Sequence, residues 1–228
     1  MTGTSSNALI VYGGWDGHHP LEVAKIYEAM LVRHGVTVKL ADSLDAYSSE
    51  NLHKYGVIVP IWTMGIITQS QLTPLLDAVR AGVGLAGCHG GMCDSFRAET
   101  EYQFMTGGQW VSHPGNDGVT YNVDIRVPDH FITTGCPTSF AVCSEQYYLH
   151  VDPAVHVLAT TRFPVADGDH VSNGVVDMPS VWTKYYGLGR VSYNALGHDP
   201  SIVSQPEVFG LLERGCLWAA KKDMIPLP

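Results

Sequence analysis

Apolar residues in the first ninety positions follow two periods, one typical of strands and one of helices. Apolar runs that end at glycine or proline predict buried parallel strands at residues 9–13, 55–60 and 83–87, and residues 36–40 are predicted to form a further strand. Between them, apolar positions at helical spacing predict two helices. The first begins at Pro20 and ends at Gly35, and the second spans residues 70–81. This alternation predicts a three-layer α/β fold with a parallel sheet.

The second half of the chain is less regular. Residues 92–105 are predicted to be helical, and alternation over residues 119–127 predicts a half-buried strand. Further strands are predicted at residues 155–160, 180–183 and 189–193, a surface loop at 164–178 and a last helix at 206–220. Because no repeat or linker interrupts this pattern, we expect one domain over residues 1–228, with an ordered core of about residues 8–220.

Composition narrows the classes of function. The formal charge is −9 and the basic residues do not cluster, which argues against nucleic acid as a partner. No apolar stretch approaches the roughly 20 residues that span a bilayer, so no membrane partner is expected. Residues 1–7 lack the features of a signal peptide and predict an irregular start in a cytoplasmic protein. The five cysteines form no CxxC pair and are expected to be reduced thiols.

The segment Gly87-Cys88-His89-Gly90-Gly91 has the layout of a nucleophile elbow. Glycines that flank a reactive residue at the end of a strand let the backbone turn sharply. Cys88 is either a nucleophile or a small buried residue under the turn. His89 suits general acid/base work better, because a histidine can hold either protonation state near neutral pH.

Other candidate residues also follow predicted strands. Asp16, His18 and Trp62 do so in the same way as His89, and the carboxyl ends of parallel strands share one edge of a sheet. Elsewhere, His113 and His198 lie in turn sequences rather than on apolar helical faces.

Glu145 stands just before Tyr147 in a stretch with few carboxylates. It is either a surface carboxylate, or a base, a metal ligand or an acceptor for sugar hydroxyls. A metal site built from His89, His113 and His198 with Glu145 would suit zinc or a similar divalent ion, although no compact ligand spacing marks it.

Taken together, these segments resemble the ThuA-like (trehalose utilisation) family, which has the class I glutamine amidotransferase-like fold. The order and spacing of the matching motifs make the resemblance specific over about residues 9–219. The matching motifs are Gly13-Gly14-Trp15-Asp16-Gly17-His18, residues 60–65, 87–97, 107–115, 144–150 and 179–183, and residues 186–198.

The resemblance implies a flavodoxin-like, mostly parallel sheet flanked by helices. It also implies that His89, His113, Glu145 and His198 cluster at the elbow edge as catalytic residues. A glutaminase of this fold would carry a C-terminal His-x-Glu pair, whereas His198 is followed by Asp199-Pro200. An amidotransferase or another Cys-dependent hydrolase is therefore the less favoured interpretation.

The same resemblance implies disaccharide catabolism through oxidised (3-keto) glycosides. The favoured hypothesis is an enzyme that acts on a small sugar by histidine acid/base or metal-assisted chemistry. The competing hypothesis is a non-catalytic sugar-binding or regulatory protein. A closed homo-oligomer is expected by default. The residues expected to line the pocket are Asp16, His18, Trp62, Tyr147 and Trp182.

Overall fold

The computed structural model describes residues 6–223. Within them it contains eleven strands, which are β1 Asn7–Gly14, β2 Thr37–Ala41, β3 Val57–Thr63, β4 Gly84–Cys88, β5 Gly108–Ser112, β6 Val119–Ile125, β7 Ser139–Ser144, β8 Tyr148–Val151, β9 His156–Phe163, β10 Val176–Tyr186 and β11 Gly189–Asn194. Its α-helices are α1 Pro20–Val32, α2 Ala46–Ser49, α3 Gln69–Arg80, α4 His89–Cys93, α5 Thr100–Thr106, α6 Pro200–Val203 and α7 Pro206–Ala219. The predicted irregular start, residues 1–7, lies outside the described residues except for Ser6 and Asn7, and Asn7 already belongs to β1.

Nine of the strands form one sheet in the order β2-β1-β3-β4-β11-β10-β9-β6-β7. Its first five strands pair in parallel, and the pairs from β11 to β7 are antiparallel. The expected parallel sheet is therefore one half of a mixed sheet. Strands β5 and β8 pair with each other in a separate antiparallel ribbon.

Helices cover both faces of the parallel half, and this explains its apolar strands. Successive residues of β1 point to opposite faces, so Ala8 and Ile10 pack with α1 and α7, while Leu9 and Val11 pack with α2 and α3. The result is a three-layer α/β architecture. No helix in the part of the chain that the structure describes is long and apolar enough to cross a membrane.

The single helix predicted for residues 92–105 is wrong. Two short helices, α4 and α5, flank an irregular segment in which Ser95 bridges to Met64 and Phe96 has a left-handed φ of 47°. The Ser95 hydroxyl also donates to the carbonyl of Trp62 over 2.6 Å. These tertiary contacts override the local helical pattern.

The loop predicted for residues 164–178 is partly structured. It contains a 3-10 turn, Asp169–Asn173, and the start of β10 at Val176. Strands β5, β7 and β8 are not predicted by the apolar pattern, because only half or fewer of their residues are buried.

Close packing of α7 on β4 depends on Gly84. A Cβ atom at this position would lie 2.2 Å from the carbonyl oxygen of Ala219, and backbone cannot move aside cheaply. We expect Gly84→Ala to lower the free energy of unfolding by about 2 kcal/mol or more, as overpacking does. Denaturant unfolding followed by circular dichroism measures the change.

The matched control is Gly210→Ala within α7, where a Cβ would meet only the flexible tip of Arg214. That change should leave stability unchanged or raise it by up to about 1 kcal/mol. Equal stability of the Gly84→Ala protein and the native protein would contradict the tight packing.

Candidate active site

Five polar side chains meet beyond the ends of separate strands. His18 ends the short turn after β1, His89 follows β4, and His198 lies in the loop after β11. Glu145 follows β7 directly, and His113 follows β5. The structure thus brings together His89, His113, Glu145 and His198, the four residues expected to be catalytic, and adds His18 to them.

The turn after β4 has the geometry of an elbow, and its strained residue is His89. Cys88 is still extended, with φ −136°, whereas His89 has a left-handed φ of 48° and begins α4. The next residue must be small, because a Cβ on Gly90 would lie 2.7 Å from the ring of His18. The sequence Cys88-His89-Gly90 therefore presents a histidine, not a cysteine, at the apex of the turn.

The carboxylate of Glu145 is the centre of the cluster. Its Oε2 atom lies 3.1 Å from Nε2 of His89, 3.4 Å from Nδ1 of His198 and 4.0 Å from Nε2 of His18. His113 approaches the other oxygen, with Nε2 3.8 Å from Oε1. The ligand atoms of His18, His89, Glu145 and His198 all lie within 4.8 Å of one another, close enough that the four residues could hold a metal ion.

Neighbouring groups hold two of the rings in place. Nδ1 of His89 lies 2.8 Å from the carbonyl oxygen of Ala195, and Nδ1 of His18 lies 2.8 Å from the hydroxyl of Thr63. Tyr147 stacks on His89 with ring centroids 3.8 Å apart. Because a carbonyl can only accept, Nδ1 of His89 is the protonated nitrogen and Nε2 is the one that faces Glu145.

Burial and mutual charge set the protonation states. Burial, together with the nearby His89 and His198, lowers the pKa of His18 to about 3, so this ring is neutral at neutral pH. Burial alone would raise the pKa of Glu145, but the nearby rings of His198 and His89 keep it well below its usual range. The neighbouring carboxylate raises the pKa of His198. The centre thus holds an ionised Glu145, a neutral His18 and a His198 that is more easily protonated than a free histidine.

The residues expected to line the pocket differ in their placement. Asp16 is exposed in the turn that leads to His18. Trp62 is partly buried and packs over Gly13. Tyr147 is only 4% exposed and supports His89 rather than facing solvent.

Trp182 does not line the site. It is fully buried, its ring packs against Tyr193 with centroids 4.3 Å apart, and its Nε1 donates to the carbonyl of Thr106. Its place in the middle of the long strand β10 explains this core role, because that part of the strand is buried.

Sequence reasoning missed three participants. Trp15 is 46% exposed and meets His18 edge-to-face at 4.7 Å, so an aromatic surface stands at the mouth of the cluster. Thr63 contacts His18, and Asp117 lies 3.9 Å from Nε2 of His198. The position of Trp15 directly after β1 was a usable signal, whereas Asp117 comes from a loop that no pattern links to the site.

Fold and site together define a class of protein. A mixed, three-layer α/β sheet carries a histidine elbow at the carboxyl edge of its parallel strands. The same fold occurs in a ThuA-like protein from Bacteroides uniformis, with a TM-score of 0.76, 19% identity and coverage of 96% of this chain and 93% of that one. A ThuA-like protein from Parabacteroides merdae matches with a TM-score of 0.76, 17% identity and coverage of 97% and 92%.

The family follows from the sequence. Residues 7–219 match the ThuA family, described as trehalose utilisation, and the chain belongs to it. A β-galactosidase from Bacillus circulans shares the fold at a TM-score of 0.64 and 14% identity, over 96% of this chain but 31% of its own length. No curated protein matches this chain significantly in sequence.

The thiol of Cys88 is expected to be unreactive in the folded protein. The residue is 3% exposed, and burial raises the pKa of its thiol to about 11, so almost no thiolate exists at neutral pH. Brief treatment with iodoacetamide should label the exposed Cys143 and leave Cys88 unmodified until the protein is denatured. Peptide mass spectrometry measures both sites, and rapid labelling of native Cys88 would show that the elbow presents the cysteine after all.

Proposed function

We propose that this protein is an enzyme of carbohydrate catabolism that acts on a disaccharide-derived 3-keto glycoside. The observation that carries the proposal is the buried carboxylate of Glu145 with four histidines around it, at distances of 3.1–4.0 Å. Titratable groups with shifted pKa values that converge from distant segments are typical of active sites. The sugar substrate is inferred from the family, whose description is trehalose utilisation.

The place of the cluster in the sheet supports a ligand site. Strand β1 lies between β2 and β3, so the chain winds to opposite sides of β1, and the order β2-β1-β3-β4-β11 is that of flavodoxin-like sheets. Ligands of such sheets bind at this switch point, outside the carboxyl ends of the strands. At that point His18 follows β1, Thr63 is the last residue of β3, and the two side chains are in contact.

The chemistry of a 3-keto sugar suits these residues. Protons on the carbons beside the carbonyl are acidic, so a base that removes one starts elimination or isomerisation, and an acid returns a proton to the oxygen or to the leaving group. His113 is the most exposed of the four histidines, with 28% of its side chain accessible. This exposure supports a role for His113 in exchanging a proton with the substrate, and the ionised Glu145 would stabilise positive charge on His198.

The mouth of the cluster offers sugar-binding groups. Trp15 presents an exposed aromatic face beside His18, and Asp16 presents an exposed carboxylate. Aromatic faces stack on the C–H surface of sugars, and carboxylates accept hydrogen bonds from their hydroxyls. A small sugar is accordingly the partner that we propose.

The cellular location and the oligomeric state are proposed from evidence outside the site. We place it in the cytoplasm, because all five cysteines are free and a reducing compartment preserves thiols. We also propose a closed homo-oligomer, which is the common state of enzymes of this size.

Loss of the acid/base groups should abolish turnover without unfolding the protein. We expect His113→Ala and Glu145→Gln to lower kcat/KM for 3-keto disaccharides, including 3-keto-trehalose, by about 10²–10⁴-fold, the usual contribution of general acid/base groups. Product formation is followed by NMR. The control is His53→Ala, which should leave kcat/KM unchanged. His53 is exposed and precedes β3, whereas the cluster lies beyond the other end of that strand.

If the native protein binds these sugars but does not convert any of them, the protein is a sugar-binding or regulatory protein instead. Unchanged turnover in both site variants, with intact circular dichroism spectra, would contradict a catalytic role for the cluster.

Trp15 should contribute binding rather than chemistry. We expect Trp15→Ala to raise KM by about 3- to 10-fold, the loss of one aromatic contact, with little change in kcat. Trp15→Phe should restore most of the affinity because it keeps an aromatic face. A fall in kcat with unchanged KM would instead place Trp15 in the support of His18.

A further inference from the structure

We propose that His18, His89, His198 and Glu145 bind one divalent transition-metal ion of the zinc class, with His113 outside the ligand set. The inference deepens the proposed function, on which its catalytic meaning rests, because it places the ion at the same site. Binding of the ion can nevertheless be measured without any sugar.

The distances fit a single ion. A zinc ion with bonds of about 2.0–2.1 Å in tetrahedral geometry separates its ligand atoms by about 3.3 Å. Oε2 of Glu145 lies 3.1, 3.4 and 4.0 Å from the nitrogens of His89, His198 and His18. All four ligand atoms fall within 4.8 Å of one another, so small side-chain movements complete the geometry. Three imidazole nitrogens and one carboxylate oxygen form a ligand set that zinc and its neighbours prefer.

The protons of His89 provide an independent argument. Its Nδ1–H donates to the carbonyl of Ala195 over 2.8 Å, so in the neutral ring Nε2 carries a lone pair. That lone pair faces Oε2 of Glu145 at 3.1 Å. Two electron-rich atoms at this distance repel each other unless a proton or a metal ion lies between them, and the proposed ion supplies that positive charge.

The close packing of the rings also suits a metal ion. The ring centroids of His18, His89 and His198 are 4.8–5.5 Å apart, so positive charges on two of the rings would repel each other in a buried space. A metal ion binds neutral imidazoles and an ionised carboxylate, so it requires no charged ring.

His198 contributes a buried, unsatisfied ligand atom. Its residue is 9% exposed, and its Nδ1 makes no hydrogen bond with any described group, although it points at Oε2 of Glu145 from 3.4 Å. Buried polar atoms are rarely left unpaired. A metal ion between Nδ1 and the carboxylate would satisfy this atom.

The other nitrogens of His18 and His89 have outer hydrogen-bond partners, and that of His198 lies near a carboxylate. Thr63 contacts Nδ1 of His18, the carbonyl of Ala195 accepts from Nδ1 of His89, and the carboxylate of Asp117 lies 3.9 Å from Nε2 of His198. Histidines that bind metals nearly always make such contacts, because these fix the tautomer and the orientation of the ring.

The ligand set differs from the one that the sequence suggested. His113 approaches Oε1 rather than Oε2, and its side chain is 28% exposed. His18 takes its place among the ligands, since its Nε2 faces Oε2 from a nearly buried ring. His113 thereby stays free to exchange protons beside the ion.

The test uses full-length protein purified without a polyhistidine tag. After treatment with a chelator and dialysis, Zn²⁺ and Co²⁺ are titrated by calorimetry, and the Co²⁺ protein is examined by visible absorption. We expect one ion per chain and the intense visible bands of a tetrahedral Co²⁺ site. His18→Ala and Glu145→Gln should each weaken binding by about 100-fold or more, because a lost ligand costs more than a lost outer partner.

Two variants with the same substitution serve as controls. His113→Ala should change the metal affinity by less than about threefold, and His53→Ala should not change it. Stoichiometry near zero overturns the inference, as does equal loss of affinity in His113→Ala and His18→Ala. Circular dichroism of each apo variant separates unfolding from loss of a ligand.

The results also separate the two proposals. Stoichiometric metal binding without turnover of any keto-glycoside supports the metal site and contradicts the proposed enzyme. Full turnover by metal-free protein in the presence of a chelator contradicts the metal site and leaves the enzyme standing.

Discussion

The ionised carboxylate of Glu145 is the constraint on which the site depends. The residue is only 7% exposed, and an isolated charge at such a place would cost several kcal/mol. Imidazole nitrogens at 3.1–4.0 Å compensate it. These rings lie in segments that follow β1, β4, β5 and β11, so the main sheet and the separate ribbon of β5 and β8 must be held together around one side chain. Removing that charge would leave the surrounding nitrogens without a common partner.

The backbone of the elbow serves the same constraint. His89 has a left-handed φ of 48°, a conformation that costs a non-glycine residue about 1–2 kcal/mol. Three contacts hold His89 in this conformation. The carbonyl of Ala195 accepts a hydrogen bond from its ring, and Tyr147 stacks on the ring. The hydroxyl of Tyr193 donates to its backbone carbonyl over 3.2 Å. A residue held this firmly keeps its Nε2 aimed at Glu145. Strain that surrounding contacts maintain in this way is typical of functional sites.

Much of the fold could be predicted from the sequence, because β1, β3 and β4 are apolar runs that are buried on both faces. The antiparallel half was harder to predict, since strands such as β7 alternate with exposed residues and read as irregular chain. The break between α4 and α5 could not be predicted, because it depends on the contact of Ser95 with Met64 across the fold.

Some residues of the site could be predicted from local sequence patterns, whereas others depend on tertiary contacts. His89, His113 and His198 stand out because glycine or proline flanks them in turns, and Glu145 because carboxylates are scarce around it. The proposed role of His18 as a ligand depends on its closeness to Glu145 in the folded protein. The two residues follow β1 and β7 and are far apart in the sequence, so no local pattern indicates the contact. Trp182 illustrates the opposite error. An aromatic residue in a matching motif suggested a pocket wall, but its place in the middle of β10 makes it part of the core.

The contrast between Cys88 and His89 decides which chemistry the elbow can support. Both residues lie at the same strand end, yet Cys88 remains extended and 3% exposed, whereas the turn of the backbone falls on His89. A thiol needs a lowered pKa to become a nucleophile, and burial here raises it to about 11. Covalent catalysis through Cys88 is thus disfavoured by the same turn that directs His89 to the carboxylate. The fold keeps the elbow but presents a nitrogen ligand or base at its apex, and this favours proton transfer or metal-assisted chemistry over a covalent intermediate.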